Sequence, residues 1–251
     1  MSTAQRLVRK CVRSFGYDLA RAKPDRSLGL YLATLFLHLG INCVIDVGAH
    51  FGEYGRSLRD NGYDGSIVSF EPVGANFKVL QQQCAHDPRW VAHRCALGGE
   101  RGTADITVTG SSWFSSFRAP SVYGIDAFGR QVAPVGRETV RVERLDAVFG
   151  DCVAPIPGPR VFLKLDTQGW DLEVLRGAAG CLDRIAALQT ELAVTPIYEQ
   201  MPDFQEALAS LRPMGFEVGT LFPVSHDPHL RLVEFDCVML RVGAGRAAGA
   251  G

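Results

Sequence analysis

Apolar and polar positions along the chain follow two periods. Cys43–Val47 is a short apolar run, and Ser66-Ile67-Val68-Ser69-Phe70 is a second; runs of this length rich in Val and Ile read as buried strands. Val161–Leu165 and Ala187–Leu192 read the same way, and Trp90-Val91-Ala92 opens a strand expected to end near Ala96-Leu97. Between these runs the period lengthens to that of a helix. Helices are expected at about 52–61, at about 74–85 with Phe77, Leu80 and Cys84 on one face, at about 170–178, and at about 202–212 with Phe204, Leu208 and Leu211 aligned. Strand and helix alternate, which predicts an α/β domain built on a doubly wound, mostly parallel sheet.

The remaining segments modify that plan. Ala104–Thr109 and Thr139–Leu145 alternate as antiparallel additions, and between them 110–138 reads as a long loop rich in Ser, Gly, Pro and aromatics. Loops of that length without structure of their own tend to be lids or binding loops. Its Trp113-Phe114-Ser115-Ser116-Phe117 run suits either a lid or packing over the sheet edge. The last strands, about 216–222 and 232–241, are joined by a link too short for a parallel crossover, so they form an antiparallel hairpin at the sheet edge.

At the N-terminus, 5–26 is basic, and Leu7, Cys11 and Phe15 fall at i, i+4 and i+8 of an amphipathic helix. That helix either covers one end of the sheet or touches anionic lipid headgroups. Leu28–Ile41 is too short to span a membrane and reads as a packed helix. The expected organisation is an N-terminal helical extension over 1–40, one domain over 41–242 and a disordered tail over 243–251.

Composition narrows the function classes. A formal net charge of −1 gives no support to a nucleic-acid binder held by bulk electrostatics. The 7 cysteines are dispersed, with no C-x-x-C pair, which suggests reduced core thiols in a cytoplasmic protein rather than zinc ligands.

Candidate chemistry concentrates at Val44-Ile45-Asp46-Val47-Gly48-Ala49-His50-Phe51-Gly52, where a strand runs through an acid into a glycine turn that opens a helix. The second strand ends in Glu71-Pro72, placing an acid where two ribose hydroxyls could donate to it. A dinucleotide needs a second glycine two residues after the first, and His50 fills that place. Asp46 would also repel a phosphate. S-adenosylmethionine, with an ammonium, a sulfonium and no phosphate, meets neither objection. The competing reading is a turn that binds nothing, with both glycines serving helix–sheet packing.

Asp166 ends the fourth strand beside the first, facing the crevice of such a sheet, and Glu191 ends the fifth. Two carboxylates there could act as bases or hold Mg²⁺ against an acceptor hydroxyl. Asp166 could instead cap the helix that begins near 170. His50 is a turn residue, a cofactor contact or a base. Lys164, on a central strand, is either paired with a carboxylate or aimed at the sheet's end. His226 and His229 fall in the turn between the last strands.

Asp46-Val-Gly-Ala-His-Phe-Gly52, Ser69-Phe-Glu-Pro72, Cys95-Ala-Leu-Gly98, Ser115-Ser116, Lys164-Leu-Asp-Thr-Gln-Gly169, Gln189-Thr-Glu-Leu192, Tyr198-Glu199 and Val233-Glu-Phe-Asp236 occur in the order found in the FkbM family of S-adenosylmethionine-dependent O-methyltransferases. The chain resembles that family over about 30–242 and departs from it at Trp170-Asp171 and Glu199-Gln200-Met201. The resemblance implies a class I methyltransferase (Rossmann-like) fold with a reversed edge strand. It implies that Asp46 and Gly48 hold the methionine end of the cofactor, that Glu71 takes the ribose, and that Ala96 and Leu97 border the adenine. His50, Ser116 and Asp166 would also line the cofactor site. Its implied activity is methyl transfer to a hydroxyl of a sugar, glycolipid or polyketide-type natural product, with Asp166 and Glu191 catalytic. Two alternatives stand beside it: a nicotinamide-dependent oxidoreductase and a cofactor-binding partner subunit without turnover.

Overall fold

The computed structural model describes residues 3–15 and 23–243. The helix α1 (Thr3–Ser14) is followed by α2 (Leu28–Leu39), which Gly40 ends in a left-handed conformation. Then come β1 (Cys43–Val47), α3 (Glu53–Asp60), β2 (Ser66–Phe70), α4 (Gly74–Cys84) and β3 (Trp90–His93). A second group follows: β4 (Ala96–Leu97), β5 (Gly102–Thr109), α5 (Val122–Phe128) and β6 (Pro134–Glu143). The chain closes with α6 (Leu145–Val153), β7 (Val161–Leu165), α7 (Asp171–Gly177), β8 (Ile185–Ala193), α8 (Phe204–Leu211), β9 (Phe216–His226) and β10 (Leu232–Arg241).

Seven strands form the main sheet in the order β3-β2-β1-β7-β8-β10-β9. It is parallel from β3 to β8. The expected hairpin forms the far edge, but the reversed strand β10 is inserted between β8 and β9, one place in from that edge. β1 is buried throughout, and its side chains alternate between faces. Cys43, Ile45 and Val47 pack with Leu145, Phe149, Val174 and Leu211 from α6, α7 and α8. Val44 packs on the other face with Leu32, Phe36, Leu58 and Leu80 from α2, α3 and α4. Helix α8 begins at a capping box between Asp203 and Glu206.

Three sequence expectations need correction. The third strand stops at His93, and Ala96-Leu97 forms its own short strand in a second sheet of order β4-β6-β5. His93-Arg94 interrupts the apolar run, and a two-residue strand beyond it carries no periodicity of its own. The 110–138 segment is not a bare loop: it holds a 3-10 turn at Ser112–Phe114, helix α5 capped by the Ser121 side chain, and the start of β6. Finally, α1 does not bury its apolar residues against the sheet, since Leu7, Val8 and Phe15 are exposed. Residues 16–22 and 244–251, which include Arg21 and nearly all of the expected tail, lie outside the described residues.

Candidate functional site

The site begins where β1 ends. Gly48 has φ +79, and a Cβ there would come within 2.0 Å of the Asp166 carbonyl oxygen. Only glycine lets the first turn press against the exit of β7. His50 follows at φ 50. Its backbone N–H donates to Glu71 Oε2 at 2.9 Å, tying the turn to the tip of β2.

Glu71 is buried and also accepts from Val73 N–H at 2.9 Å and Asn76 Nδ2 at 3.3 Å. Burial pushes its pKa up to about 7 against the pull of these hydrogen bonds. A carboxylate has about four lone-pair sites, so three donors leave room for a ligand hydroxyl.

A cleft runs from this turn past Glu71, Ala96, Leu97 and Trp170, under Ser112 and Trp113. It is narrow, about 60 Å³, because the 3-10 turn lies over it: His50 Nε2 is 2.7 Å from Ser112 Oγ, and the His50 and Trp113 rings lie tilted by 34° with centroids 4.1 Å apart. His50 Nδ1 faces Glu53 Oε2 at 3.4 Å, and burial lowers the imidazole pKa. Trp170 lines this cleft, and its indole N–H is sealed in the fold without a hydrogen-bond partner.

A second cavity, about 450 Å³, opens beside the first and shares Gly48, His50, Trp113, Asp166 and Gln168 with it. Its walls include Tyr54, Lys164, Gln189, Glu191, Glu234 and Asp236. Lys164 Nζ lies 3.2 Å from Asp46 Oδ1, 3.3 Å from Asp166 Oδ2 and 5.2 Å from the Tyr54 ring centroid. Burial works against the charge of this ammonium, but Asp166 and Asp46 outweigh it and hold the pKa above the ordinary lysine value.

Gln168 is the hinge of the arrangement. Its Nε2 donates to Asp166 Oδ1 at 3.0 Å and to Glu191 Oε2 at 3.4 Å. Its Oε1 lies 2.8 Å from the Tyr198 hydroxyl, and its backbone carbonyl accepts from Ser116 Oγ at 2.7 Å. Burial, then the neighbouring Asp166, raises the Glu191 pKa well above the usual carboxylate range.

The expected site residues fall into two groups. Gly48, His50, Glu71, Ala96, Leu97 and Asp166 line the narrow cleft, and Asp166 and Glu191 line the wider cavity. Asp46 and Ser116 line neither. Asp46 is fully buried in mid-strand, paired with Lys164 and accepting from Ser69 Oγ, and Ser116 braces the Gln168 loop from beneath. Asp166 does not cap α7, whose first turn has no side-chain cap. Asp171 instead holds the loop, accepting from Thr167 N–H at 2.9 Å and Thr190 Oγ1 at 2.6 Å. His226 and His229 line neither cavity; Asp227 ties their turn by accepting from the His229 and Arg231 N–H groups.

The expectation of Mg²⁺ at Asp166 and Glu191 is not supported. Among the described residues, no group of three His, Cys, Asp or Glu side chains is placed to hold a metal. The Lys164 ammonium and the Gln168 amide already meet both Asp166 oxygens and one oxygen of Glu191. Tyr54, Gln168, Gln189, Glu234 and Asp236 were assigned no role from sequence. The acids at 234 and 236, two apart in an otherwise apolar strand, were the available signal.

Residues 46–218 match the methyltransferase FkbM domain. No curated protein matches the chain. Among solved structures, it is similar to a protein assigned as an O-methyltransferase from Klebsiella pneumoniae, at 11% identity, covering 96% of this chain and 91% of that one with a TM-score of 0.44. It is similar to one assigned as an S-adenosylmethionine-dependent methyltransferase from Listeria monocytogenes, at 7% identity, covering 85% and 97% with a TM-score of 0.46. Aeropyrum pernix fibrillarin, solved with natively bound S-adenosyl-L-methionine, gives 9% identity, 79% and 66% coverage and a TM-score of 0.43. The domain match spans more than half of the chain, and the sheet order with one reversed strand is that of a class I methyltransferase. Membership of a methyltransferase family sets the oxidoreductase alternative aside: the chain belongs to the FkbM methyltransferase family.

Proposed function

We propose that this protein is an S-adenosylmethionine-dependent O-methyltransferase acting on a hydroxyl of a sugar, glycolipid or polyketide-type natural product. The observation that carries the reading is the junction of two cavities at Gly48, His50, Trp113, Asp166 and Gln168. One suits a nucleoside and the other a polar acceptor. When bound, S-adenosylmethionine supplies a methyl group on a positively charged sulfur.

The residues present fit that cofactor. Glu71 keeps a lone pair for the ribose hydroxyls, Gly48 and the His50 turn border the methionine portion, and Ala96 and Leu97 flank the base. Asp166 borders the sulfur and disfavours a diphosphate. Asp46 acts at one remove, by fixing Lys164. An adenosine-sized ligand fills the narrow cleft only once Trp113 moves aside, which gives the 3-10 turn the role of a lid.

Asp166 and Glu191 face the acceptor side. Asp166 takes the hydroxyl proton, while Gln168, which donates to both Asp166 and Glu191, and Glu191 itself orient the acceptor. Most of the acceleration comes from positioning and from excluding water. The acceptor is a small molecule or glycolipid; the acidic wall argues against a nucleic-acid partner. The exposed Leu7, Val8 and Phe15 of α1, beside Lys10, suit peripheral contact with an anionic membrane where a glycolipid would lie. No helix among the described residues is long and apolar enough to cross a membrane. We place the reaction in the cytoplasm, since all seven cysteines are free thiols. The catalytic domain is taken as 41–242, with the helical extension before it.

Thermal melts with S-adenosylmethionine, S-adenosylhomocysteine or NAD test the reading. At about 100-fold over Kd, a ligand of the native state adds roughly 2.7 kcal/mol. For a domain of this size the midpoint should rise by about 5–10 °C with the sulfur ligands and stay unchanged with NAD. A rise with NAD alone would end the proposal.

A further inference from the structure

The wider cavity carries more negative charge than its basic groups offset. Glu53, Asp166, Glu191, Glu234 and Asp236 line it against the single ammonium of Lys164. That ammonium is already placed between Asp166 and the buried Asp46, and Glu53 lies against His50 and Arg56. Glu191, Glu234 and Asp236 are left with neutral donors alone. Gln168 Nε2 reaches Glu191 at 3.4 Å, Ser225 Oγ reaches Glu234 at 3.1 Å, and Gln189 Nε2 reaches Asp236 at 2.9 Å. Each donor engages one carboxylate oxygen. Among the described residues nothing donates to the other oxygen of each, and none of those three oxygens is fully buried.

The sheet register brings the three together. β10 runs antiparallel beside β8 with Asp236 directly opposite Glu191, and Glu234 lies two residues along on the same face. Like charges opposed on neighbouring strands destabilise a sheet. Burial without a counter-charge adds to that cost, and Glu234 is only 5% exposed. Glu191 and Asp236 are half-buried beside it, so the acids line the cavity rather than an open surface. No protein cation among the described residues pairs with these three acids, and a cation in the cavity would relieve the repulsion while leaving them ionised.

We infer that the acceptor presents a protonated amine to Glu191, Glu234 and Asp236 while its reacting hydroxyl lies toward Asp166, making it an amino sugar or aminocyclitol rather than a neutral sugar. The inference rests on the proposed function and narrows its acceptor class. An ammonium brings three donors to a wall that offers three open carboxylate oxygens, and each contact is charge-assisted. A phosphorylated acceptor would meet repulsion on the same wall.

Calorimetric titration of glucosamine, N-acetylglucosamine and glucose into protein saturated with S-adenosylhomocysteine tests this. Glucosamine should bind at least about tenfold more tightly than the two neutral probes, an advantage that shrinks in high salt. Glu234→Gln and Asp236→Asn keep the side-chain shape and should erase the advantage. The S-adenosylhomocysteine affinity of each variant, read in the same experiment, reports that the neighbouring cleft is intact. Equal binding of the three probes, no binding of glucosamine, or a preference that survives both variants would overturn the inference and leave the proposed function standing. So would MgCl₂ raising glucose to the affinity of glucosamine, since the acids would then serve a metal. Failure of S-adenosylhomocysteine itself to bind would overturn both.

Discussion

The Lys164 ammonium lies 3.3 Å from Asp166 Oδ2, and the same nitrogen reaches Asp46 Oδ1 at 3.2 Å. One buried cation therefore joins the core of β1 to the rim of the cavities. Asp46 and Lys164 are register partners on adjacent parallel strands, so the pairing is built into the sheet. Breaking such a pair leaves a buried charge uncompensated, which typically costs about 3–5 kcal/mol. Lys164→Met should lower unfolding free energy by that amount in a denaturant titration, and adding Asp46→Asn should restore a large part of it. A loss under about 1 kcal/mol would mean that Asp46 does not depend on this partner.

Burial drives the pKa of Glu234 up to about 7 and that of Asp236 up to about 6, each from an ordinary carboxylate value. Glu71 is likewise raised to about 7. The folded chain then binds more protons than the unfolded chain from the ordinary carboxylate range up to these values. Stability should fall as pH rises through that window and level off above it. Glu234→Gln should flatten the slope and stabilise the ligand-free protein at pH 8 by about 2 kcal/mol. Stability that rises steadily from pH 5 to 8 in the wild type would contradict this.

Exposed Leu7, Val8 and Phe15 on α1 predict binding to vesicles that contain phosphatidylserine and little to neutral phosphatidylcholine vesicles. Each Lys or Arg near an anionic surface contributes about 1 kcal/mol. Sedimentation with the vesicles should weaken sharply on deletion of 1–22. Equal sedimentation with and without that segment would remove its membrane role.

Much of the narrow cleft was legible because it is local. Gly48 and the turn after β1, and Glu71 at the tip of β2, follow from a strand–turn–helix–strand order spanning about 25 residues. What failed to show was set by long-range register. Asp46 looked like a ligand contact because its strand ends nearby, but its cross-strand neighbours Ser69 and Lys164 claim it. Lys164 in a buried strand was the clue to a buried acid beside it. The acidic wall depends on β10 being inserted next to β8, which no local period encodes. Gln168 gains its role from a left-handed backbone, φ 53, that aims its amide between two carboxylates. Helix α5 is too short for its periodicity to stand out from the surrounding loop.

The central claim is that Glu71 and the Gly48 turn hold a nucleoside-bearing sulfur cofactor. Calorimetric titration of S-adenosylhomocysteine into the wild type and into Glu71→Gln tests it most directly. Weakening a carboxylate that bonds ribose hydroxyls should cost about 1.5–3 kcal/mol, or about 10–100-fold in Kd. The account predicts one site per chain in the wild type and that loss in the variant. An unchanged affinity in Glu71→Gln, or no binding heat in the wild type, would contradict it.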